Sequence, residues 1–252
     1  MRAEDAYRRF AKYYNMYVQE FMDDIPVYLK LCEGAKDIAE VGCGTGRLLK
    51  PLLDSGYRVT GIDISDAMMS IAEMKLNYYI EDGMLELINH NFIKSYTSKQ
   101  YDRIFVTFYT FNYLIHDDEQ TQFIKNVYKS MKPNGIITID LFYPKTMANP
   151  EYEDKWSDEK EYFHNGVKVL MKDNRKMIGE IEERIQIFSQ EGISDEIKTC
   201  RRFVNKKDMY KLLKDAGFSK IRFVEGYDYS DLHELAVDES TTAGFMAIAE
   251  KL

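Results

Sequence analysis

The 252-residue sequence contains few residues of the types that bind metal ions or form disulfides. Its three cysteines, Cys32, Cys43 and Cys200, are far apart and lack the paired spacing of a zinc site or a disulfide framework. The four histidines are also scattered, and no HExxH motif occurs among them. We therefore expect reduced thiols and no bound metal ion.

Long apolar runs are absent as well, and no stretch approaches the roughly 18 residues of a membrane-spanning helix. Residues 1–30 are charged and aromatic, unlike a secretory signal peptide. These features predict a cytoplasmic protein without a membrane partner. A net charge of −8 disfavours nucleic acid as the main partner, because neutralising phosphates requires a basic surface. One local cluster of basic residues occurs in the sequence, and it comprises Lys198, Arg201, Arg202, Lys206 and Lys207.

Segments with strand-like and helix-like patterns alternate from Lys36 to Phe142. Strands are predicted at "DIAEV", "YRVTGIDI", "MLELINH", "YDRIFVTFY" and "IITIDLFY". Between them lie the helical segments "GRLLKPLLDSG", "DAMMSIAEMKLNYY" and "DEQTQFIKNVYKSM", with Gly56 ending the first and Ser65 capping the second. This alternation is typical of a parallel sheet covered by helices on both faces. The chain length suits one such domain.

Residues 160–204 interrupt the alternation. Three strand-like runs occur here, "EYFHNGVKVLMK", "KMIGEIEERIQIFSQ" and "ISDEIKTCRRFV", with turns predicted at "DN" and "EG". We expect an antiparallel β meander inserted into the α/β domain. The alternating pattern resumes with the helix "KDMYKLLKDAGF", ended by Gly217, and two final strands, "KIRFVEGY" and "TTAGFMAIAEK".

The N-terminal segment carries an aromatic stripe. Tyr7, Phe10, Tyr14, Tyr17 and Phe21 recur at steps of three and four, the spacing of one face of an amphipathic helix. The pattern predicts a helix that packs its aromatic face on the domain. An alternative is that Tyr13 or Tyr14 also faces a ligand pocket.

A glycine-rich turn follows the first predicted strand in the stretch "IAEVGCGTGRLL", residues 38–49. Gly42, Gly44 and Gly46 permit positive φ angles and let a ligand approach the backbone without a Cβ atom in the way. A turn at this place lies at the carboxyl end of the strands, where open α/β sheets bind nucleotides. Arg47 stands where the dinucleotide fingerprint GxGxxG requires its third glycine, which disfavours an NAD-dependent oxidoreductase.

Five segments in the expected order resemble the class I S-adenosylmethionine-dependent methyltransferases of small-molecule type. These are "EVGCGTG", "GIDIS" with Asp63, "QYDRIFVTFYTFNYL", "VYKSMKPNGIITIDLF" and "LLKDAGF". The resemblance implies an α/β, Rossmann-like fold with a seven-stranded, mostly parallel sheet flanked by helices. It also implies one methyltransferase domain, with a helical cap at 1–35, a core at 36–148 and 205–252, and an inserted antiparallel substrate cover at 149–204.

The same resemblance implies S-adenosyl-L-methionine as cofactor and assigns residues to it. The turn residues Gly42, Cys43, Gly44 and Gly46 would pass beside the methionine and ribose, Glu40 would hold the turn or the amino group, and Asp63 would bind the ribose hydroxyls. Further contacts are implied for adenine at Ile64, Asn91 and Phe92, and for the sulfonium and methionine end at Phe108, Tyr109 and Tyr14. Asn91 stands where many relatives have aspartate, and Asn15 follows Tyr14 where small-molecule members have aspartate.

Candidate catalytic residues lie on loops at the carboxyl end of the sheet. They are Tyr109, Asn112, His116 and Asp140, and they form no recognisable triad. His116 precedes "DDEQ", so a helix-capping role is the alternative for it.

The predicted function is methyl transfer to an N or O atom of a small-molecule acceptor, by a monomer or a homodimer. Two alternatives remain: a methyltransferase acting on RNA or protein through the basic cluster, and a non-catalytic S-adenosylmethionine-binding protein. The inserted meander could instead serve as a dimerisation surface.

Overall fold

The computed structural model describes residues 3–18, 21–143, 153–164, 166–225, 233–237 and 244–252. Its helices are α1 (Ala3–Val18), α2 (Ile25–Leu31), α3 (Leu49–Asp54), α4 (Asp66–Glu81), α5 (Asp117–Lys129) and α6 (Lys206–Ala216), with a 3-10 helix at Thr110–Tyr113. The first five strands are β1 (Ile38–Val41), β2 (Val59–Asp63), β3 (Leu85–Asn89), β4 (Tyr101–Val106) and β5 (Met131–Phe142). The others are β6 (Glu153–Trp156), β7 (Lys160–His164), β8 (Val167–Ile178), β9 (Ile181–Gln190), β10 (Ile193–Arg202), β11 (Phe218–Glu225), β12 (His233–Leu235) and β13 (Gly244–Lys251).

The main sheet has the strand order β12-β11-β13-β5-β4-β1-β2-β3. Strands β1 to β5 pair with one another in parallel, and β13 lies between β5 and β11 and pairs antiparallel with both. These seven strands confirm the predicted Rossmann-like sheet, and the three-residue strand β12 adds an unpredicted edge. Because β1, β2 and β4 are parallel neighbours, the loops that follow them meet at one edge of the sheet.

Helices cover both faces of this sheet, and alternate residues of each strand point to opposite faces. In β4, Ile104 and Val106 belong to the core that includes α5 and α6, whereas Phe105 belongs to the core that includes α2, α3 and α4. Tyr28 of α2 packs 4.9 Å from Phe105, centroid to centroid. The segment before Lys36 is therefore partly built into the main core. Among the described residues no helix is long and apolar enough to span a lipid bilayer.

A second, antiparallel sheet is formed by β6 to β10, with β8 pairing with β9 on one side and with β6 and β7 on the other. The predicted turn at "EG" is confirmed, with Gly192 at φ 81°. The predicted turn at "DN" is wrong, because Asp173 and Asn174 pair with β9 inside β8. The chain turns instead at Gly166 and Gly179, which both have positive φ. Residues 144–152, where the predicted insertion begins, lie outside the described residues.

Helix α1 lies between the second sheet and α4. The ring of Tyr13 stacks on Phe188 of β9 at 4.5 Å, and Phe10 packs 5.7 Å from the same ring. Met68 of α4 belongs to the same buried cluster. The predicted amphipathic helix is confirmed up to Val18, while Phe21 lies beyond its end. The aromatic stripe thus attaches the second sheet to the main domain.

Candidate active site

A cavity of about 790 Å³ opens at the carboxyl ends of β1, β2 and β4. Its walls come from the glycine turn, the starts of α4 and α5, the 3-10 helix, α1 and β10. All the residues predicted to bind the cofactor, with the exception of Gly46, line it; they are Tyr14, Glu40, Gly42, Cys43, Gly44, Asp63, Ile64, Asn91, Phe92 and Phe108. The topology of parallel strands brings these distant segments together.

The three glycines of the turn have positive φ angles but different surroundings. A Cβ atom on Gly42 would lie 2.4 Å from Oγ1 of Thr110, and one on Gly46 would lie 2.7 Å from Cδ1 of Leu76 in α4. The three atoms nearest to a Cβ atom on Gly44 would all belong to Tyr14, the first at 3.8 Å, inside the cavity. Gly46 therefore serves helix packing and does not line the cavity, in contrast to the prediction for it.

Asp63 ends β2 and binds the glycine turn. Its Oδ2 accepts a 2.8 Å hydrogen bond from the backbone amide of Gly44, and its Oδ1 accepts one of 2.8 Å from the amide of Ser65. Burial raises the pKa of Asp63, and the backbone amides lower it. Each carboxylate oxygen has a second lone pair, so the group can still accept a hydroxyl donor from the cavity.

Glu40 lies at the end of β1 and is 2% exposed. Its Oε1 accepts a 2.7 Å hydrogen bond from the hydroxyl of Thr107, whereas Oε2 has no hydrogen-bond partner among the described residues. Burial raises the pKa of Glu40 to about 8, against the bond from Thr107, which lowers it. A buried polar atom without a partner carries a free-energy cost. A cationic ligand group in the cavity would supply the missing donor and would favour the ionised form of Glu40.

Arg47, the residue that breaks the dinucleotide fingerprint, forms a buried ion pair with Asp24. Its Nη1 and Nη2 donate to the two carboxylate oxygens of Asp24 at 2.7 and 2.5 Å, and Nη1 also donates to the carbonyl of Phe21. Its guanidinium lies 5.0 Å from the ring centroid of Phe108. The sequence places Arg47 directly after the turn, but its partner, 23 residues earlier, could not be read from the motif.

The backbone after β4 is strained beside the cavity. Phe108 and Tyr109 have φ angles of 49° and 65°, a region that residues other than glycine seldom adopt. The amide of Phe108 donates a 3.1 Å hydrogen bond to Oδ2 of Asp140, which holds the turn. Burial raises the pKa of Asp140 to about 7, while Tyr28 and the Phe108 amide lower it. Asp140 does not line the cavity, so its role is to hold the backbone of Phe108.

Three tyrosines, Tyr7, Tyr14 and Tyr113, line the cavity and are called here the tyrosine recess. The rings of Tyr7 and Tyr113 meet edge to face, with centroids 5.3 Å apart. The next residue after Tyr14, Asn15, accepts a 2.6 Å hydrogen bond from the hydroxyl of Thr45, which fixes α1 to the glycine turn. Sequence reasoning selected Tyr14 and missed Tyr7 and Tyr113, although Tyr7 belongs to the aromatic stripe.

The opposite part of the cavity wall follows β3. The side-chain oxygen of Asn91 accepts a 2.8 Å hydrogen bond from the amide of Ile93, and its Nδ2 forms no hydrogen bond with the described residues that would compete with a ligand acceptor. Phe92 is buried against Phe123 of α5, with centroids 5.9 Å apart. Ile64 faces the same cavity. These residues offer an amide and apolar surface, which suits a flat heteroaromatic ring.

The predicted catalytic residues do not lie together at one site in the structure. The amide of Asn112 is buried and bonded to backbone: Nδ2 donates to the carbonyls of Phe142 and Arg202, and Oδ1 accepts from the amide of Phe142. This placement contradicts a direct catalytic role, because the side chain joins the 3-10 helix to β5 and β10 and does not line the cavity.

Tyr109 also lies outside the cavity lining, with its ring stacked on Phe108 at 5.5 Å. His116 is exposed and lines the cavity, and its side chain forms no capping bond to α5. His116 nevertheless occupies the N-cap position of α5, as the alternative predicted, although its side chain does not provide the cap. Cys200 of β10 also lines the cavity, and no sequence signal indicated it.

The basic cluster of the sequence is paired with acids. Arg201 forms a 2.6 Å ion pair with Glu182, which is fully buried, and Lys198 pairs with Glu196. Arg202 pairs with Asp117 and Glu180. Lys206 is 4% exposed. These four residues therefore do not form an open basic surface for a phosphate backbone.

A family model described as a methyltransferase domain matches residues 39–137, from β1 into β5. A putative methyltransferase of Geobacillus sp. (strain WCH70) is 31% identical over 109 residues, which are 43% of each chain. The matched regions of three curated relatives span 43%, 49% and 64% of those proteins' lengths.

Two solved structures share the fold across nearly the whole chain. An S-adenosylmethionine-dependent methyltransferase from Clostridium acetobutylicum ATCC 824 is 17% identical, with 97% of this chain and 98% of that chain covered and a TM-score of 0.78. A sugar N-methyltransferase from Streptoalloteichus sp. ATCC 53650 is 15% identical, with 95% and 91% covered and a TM-score of 0.70.

The sheet order, the glycine turn and the cavity at the strand ends define a Rossmann-like methyltransferase fold. Residues 39–137 form a methyltransferase domain, and the chain has the fold of an S-adenosylmethionine-dependent methyltransferase.

Proposed function

We propose that the protein binds S-adenosyl-L-methionine in this cavity and transfers its methyl group to an N or O atom of a small molecule. The observation that carries the proposal is the Oε2 atom of Glu40. It is buried, without a partner among the described residues, and belongs to a residue that lines the cavity beside the glycine turn. A cationic amino group of the cofactor would supply the missing donor.

The other walls of the cavity fit the remaining parts of the cofactor. Asp63 can accept from ribose hydroxyls through its free lone pairs, and Gly44 leaves room for a ligand beside the backbone. Asn91, Ile64 and Phe92 offer an amide and apolar surface to adenine. The bound cofactor would supply a methyl group on a sulfonium that is ready for in-line displacement.

The chain's own contribution to the transfer is positioning. Aligning an acceptor lone pair with the methyl carbon, with water excluded, can supply about 7–11 kcal/mol of the barrier. The fixed backbone at Phe108, held by Asp140, and the tyrosine recess would form the wall against which the acceptor is placed. The described part of the predicted cover, residues 153–164 and 166–204, would cover the acceptor site as part of that wall, through Cys200 of β10.

A small-molecule acceptor is favoured over RNA or protein. The basic residues Lys198, Arg201 and Arg202 are neutralised by acidic partners, and the net charge of −8 would repel a polyanion. One structural relative is a sugar N-methyltransferase, which supports a small acceptor at the level of the fold.

Calorimetry and a transfer assay together test the proposal. The purified protein should bind S-adenosylmethionine and S-adenosylhomocysteine, and should bind NADH far more weakly. Labelled methyl transfer should then be measured with pools of small amines, hydroxylated metabolites and RNA. Tighter binding of NADH would refute the cofactor assignment. Binding of S-adenosylmethionine without transfer to any pool would favour a non-catalytic binding protein, and transfer to RNA alone would refute a small acceptor.

A further inference from the structure

The tyrosine recess presents three rings in different planes to one part of the cavity. The rings of Tyr7 and Tyr113 are inclined by 79° with centroids 5.3 Å apart, and those of Tyr7 and Tyr14 by 60° with centroids 6.5 Å apart. The third ring, Tyr14, is the side chain nearest to an added Cβ atom on Gly44. The recess therefore lies beside the part of the glycine turn that is open to the cavity.

Aromatic rings arranged in this way attract cations. The face of each ring carries partial negative charge, and a cation within about 6 Å of a ring centroid is stabilised by it. Several rings around one position give the arrangement that recognises alkylated ammonium groups. Two guanidinium groups interact with these rings, Arg47 with Tyr14 and Arg201 with Tyr7. Arg47 lines the cavity, and both are already paired, Arg47 with Asp24 at 2.5 Å and Arg201 with Glu182 at 2.6 Å. Arg201 does not line the cavity.

No group in the recess is suited to remove a proton from a hydroxyl acceptor. Burial is the largest cause that raises the pKa of Tyr7 well above its usual value, and the neighbouring Tyr113 and Tyr14 are the next largest. Burial likewise raises the pKa of Tyr14 and of Cys200, a residue of β10 that also lines the cavity. These three groups are therefore protonated near neutral pH, where a hydroxyl acceptor would need a base.

We infer that the methyl acceptor is an aliphatic amine whose nitrogen sits in the tyrosine recess, an inference that rests on the proposed function. The aliphatic amine, an ammonium ion near neutral pH, first gives one proton to water. The neutral amine then uses its lone pair to form the new N–C bond as the S–C bond breaks, and sulfur keeps that bonding pair as a thioether. The positive charge moves from sulfur to nitrogen, and the methylated ammonium then loses a proton to water. The rings stabilise the charge on the nitrogen, and no protein base is required.

Choline and its uncharged isostere 3,3-dimethylbutan-1-ol test the recess, because they differ in charge and share their shape. Binding is measured by calorimetry on the whole protein saturated with S-adenosylhomocysteine, which carries no sulfonium charge. Choline should bind at least about tenfold more tightly than the isostere, as expected for a cation near several rings.

Substitutions then assign the preference to the rings. Tyr113→Leu and Tyr7→Leu should remove most of the preference for choline, whereas Tyr7→Phe and Tyr113→Phe should retain it, because the ring and not the hydroxyl binds the cation. Tyr78→Leu, on the exposed face of α4, is the matched control and should leave the preference unchanged. If a leucine variant does not fold, as judged by circular dichroism, the phenylalanine pair and the transfer assay decide the matter.

In the transfer assay, paired amines and alcohols of equal carbon skeleton are offered with labelled S-adenosylmethionine, and transfer should be confined to the amines. Transfer to the alcohols, or equal affinity for choline and its isostere, overturns the amine assignment. In either case binding of S-adenosylhomocysteine still supports the proposed function. Failure to bind S-adenosylhomocysteine would instead refute the proposed function itself.

Discussion

The backbone amide of Gly44 donates a 2.8 Å hydrogen bond to Oδ2 of Asp63, and so joins the glycine turn after β1 to the end of β2. The other carboxylate oxygen accepts from the amide of Ser65 at the start of α4. One side chain thus holds both segments that would contact the ribose. Its substitution should affect the ligand more than the fold, because Asp63 lies at the cavity and outside the apolar core.

We expect Asp63→Ala to weaken binding of S-adenosylhomocysteine by about 1–3 kcal/mol, the usual cost of removing a charged hydrogen-bond partner. Calorimetry measures the affinity, and thermal unfolding should show that the variant still folds. Asp82→Ala, at the exposed end of α4, is the control and should leave the affinity unchanged. Unchanged affinity in Asp63→Ala would contradict the ribose assignment.

The three glycines Gly44, Gly46 and Gly56 allow the cost of backbone strain to be separated from the loss of space. All have positive φ, so alanine at each should cost about 1–2 kcal/mol in the free energy of unfolding. Gly56→Ala meets no atom within 4 Å and should show this cost alone. Gly46→Ala should cost more, because its Cβ would lie 2.7 Å from Leu76.

Gly44→Ala should resemble Gly56→Ala in stability but bind S-adenosylhomocysteine more weakly, since its Cβ would point into the cavity. Urea unfolding and calorimetry on the three variants provide both measurements. An affinity for Gly44→Ala equal to that of Gly56→Ala would show that no ligand approaches this glycine.

The buried ion pair of Arg47 and Asp24 should make a large contribution when only one partner is removed. Asp24→Ala leaves a guanidinium of which 10% is exposed without its carboxylate, and should cost about 3–5 kcal/mol in unfolding free energy. Glu33→Gln breaks the exposed pair of Lys30 and Glu33 and should cost less than about 1 kcal/mol. Equal effects of the two substitutions in urea would contradict a structural role for the Arg47 pair.

The raised pKa of Glu40, about 8, predicts how stability depends on pH. Near neutral pH the folded protein holds a proton on this group that the unfolded chain has lost, because the unfolded value lies near 4.3. The stability of the ligand-free protein should therefore fall as pH rises from about 4.5 to 8. Glu40→Gln should remove this part of the slope, as measured by unfolding at a series of pH values. Burial also raises the pKa of Asp140, to about 7, so part of the slope should persist in the variant. A slope identical to that of the wild-type protein would show that Glu40 is ionised in the folded state.

Much of the main domain could be predicted because its signals are local. Apolar strand segments, the cap at Ser65 and the stop at Gly217 each depend on residues within a few positions, and the structure confirms them. Ser65 accepts a bond from the amide of Met68, as an N-cap does. The failures were local too: the "DN" pair resembles a turn, but Asp173 lies in a long strand where its carboxylate pairs with Arg184.

The sequence by itself determined the order of strands and helices, because this order follows from the periodicity of apolar residues. It also determined the glycine turn and the acids near the ends of β1 and β2, because a turn with positive φ angles requires glycine at particular positions. Only the tertiary structure decided which of these residues share a cavity and which are used elsewhere. Gly46 packs on Leu76, Asn112 binds backbone, and Tyr7 joins Tyr113 across 106 positions of sequence. The physical reason is that contacts between residues distant in sequence depend on how helices and sheets pack against one another. This packing cannot be predicted from the residues that precede and follow each position.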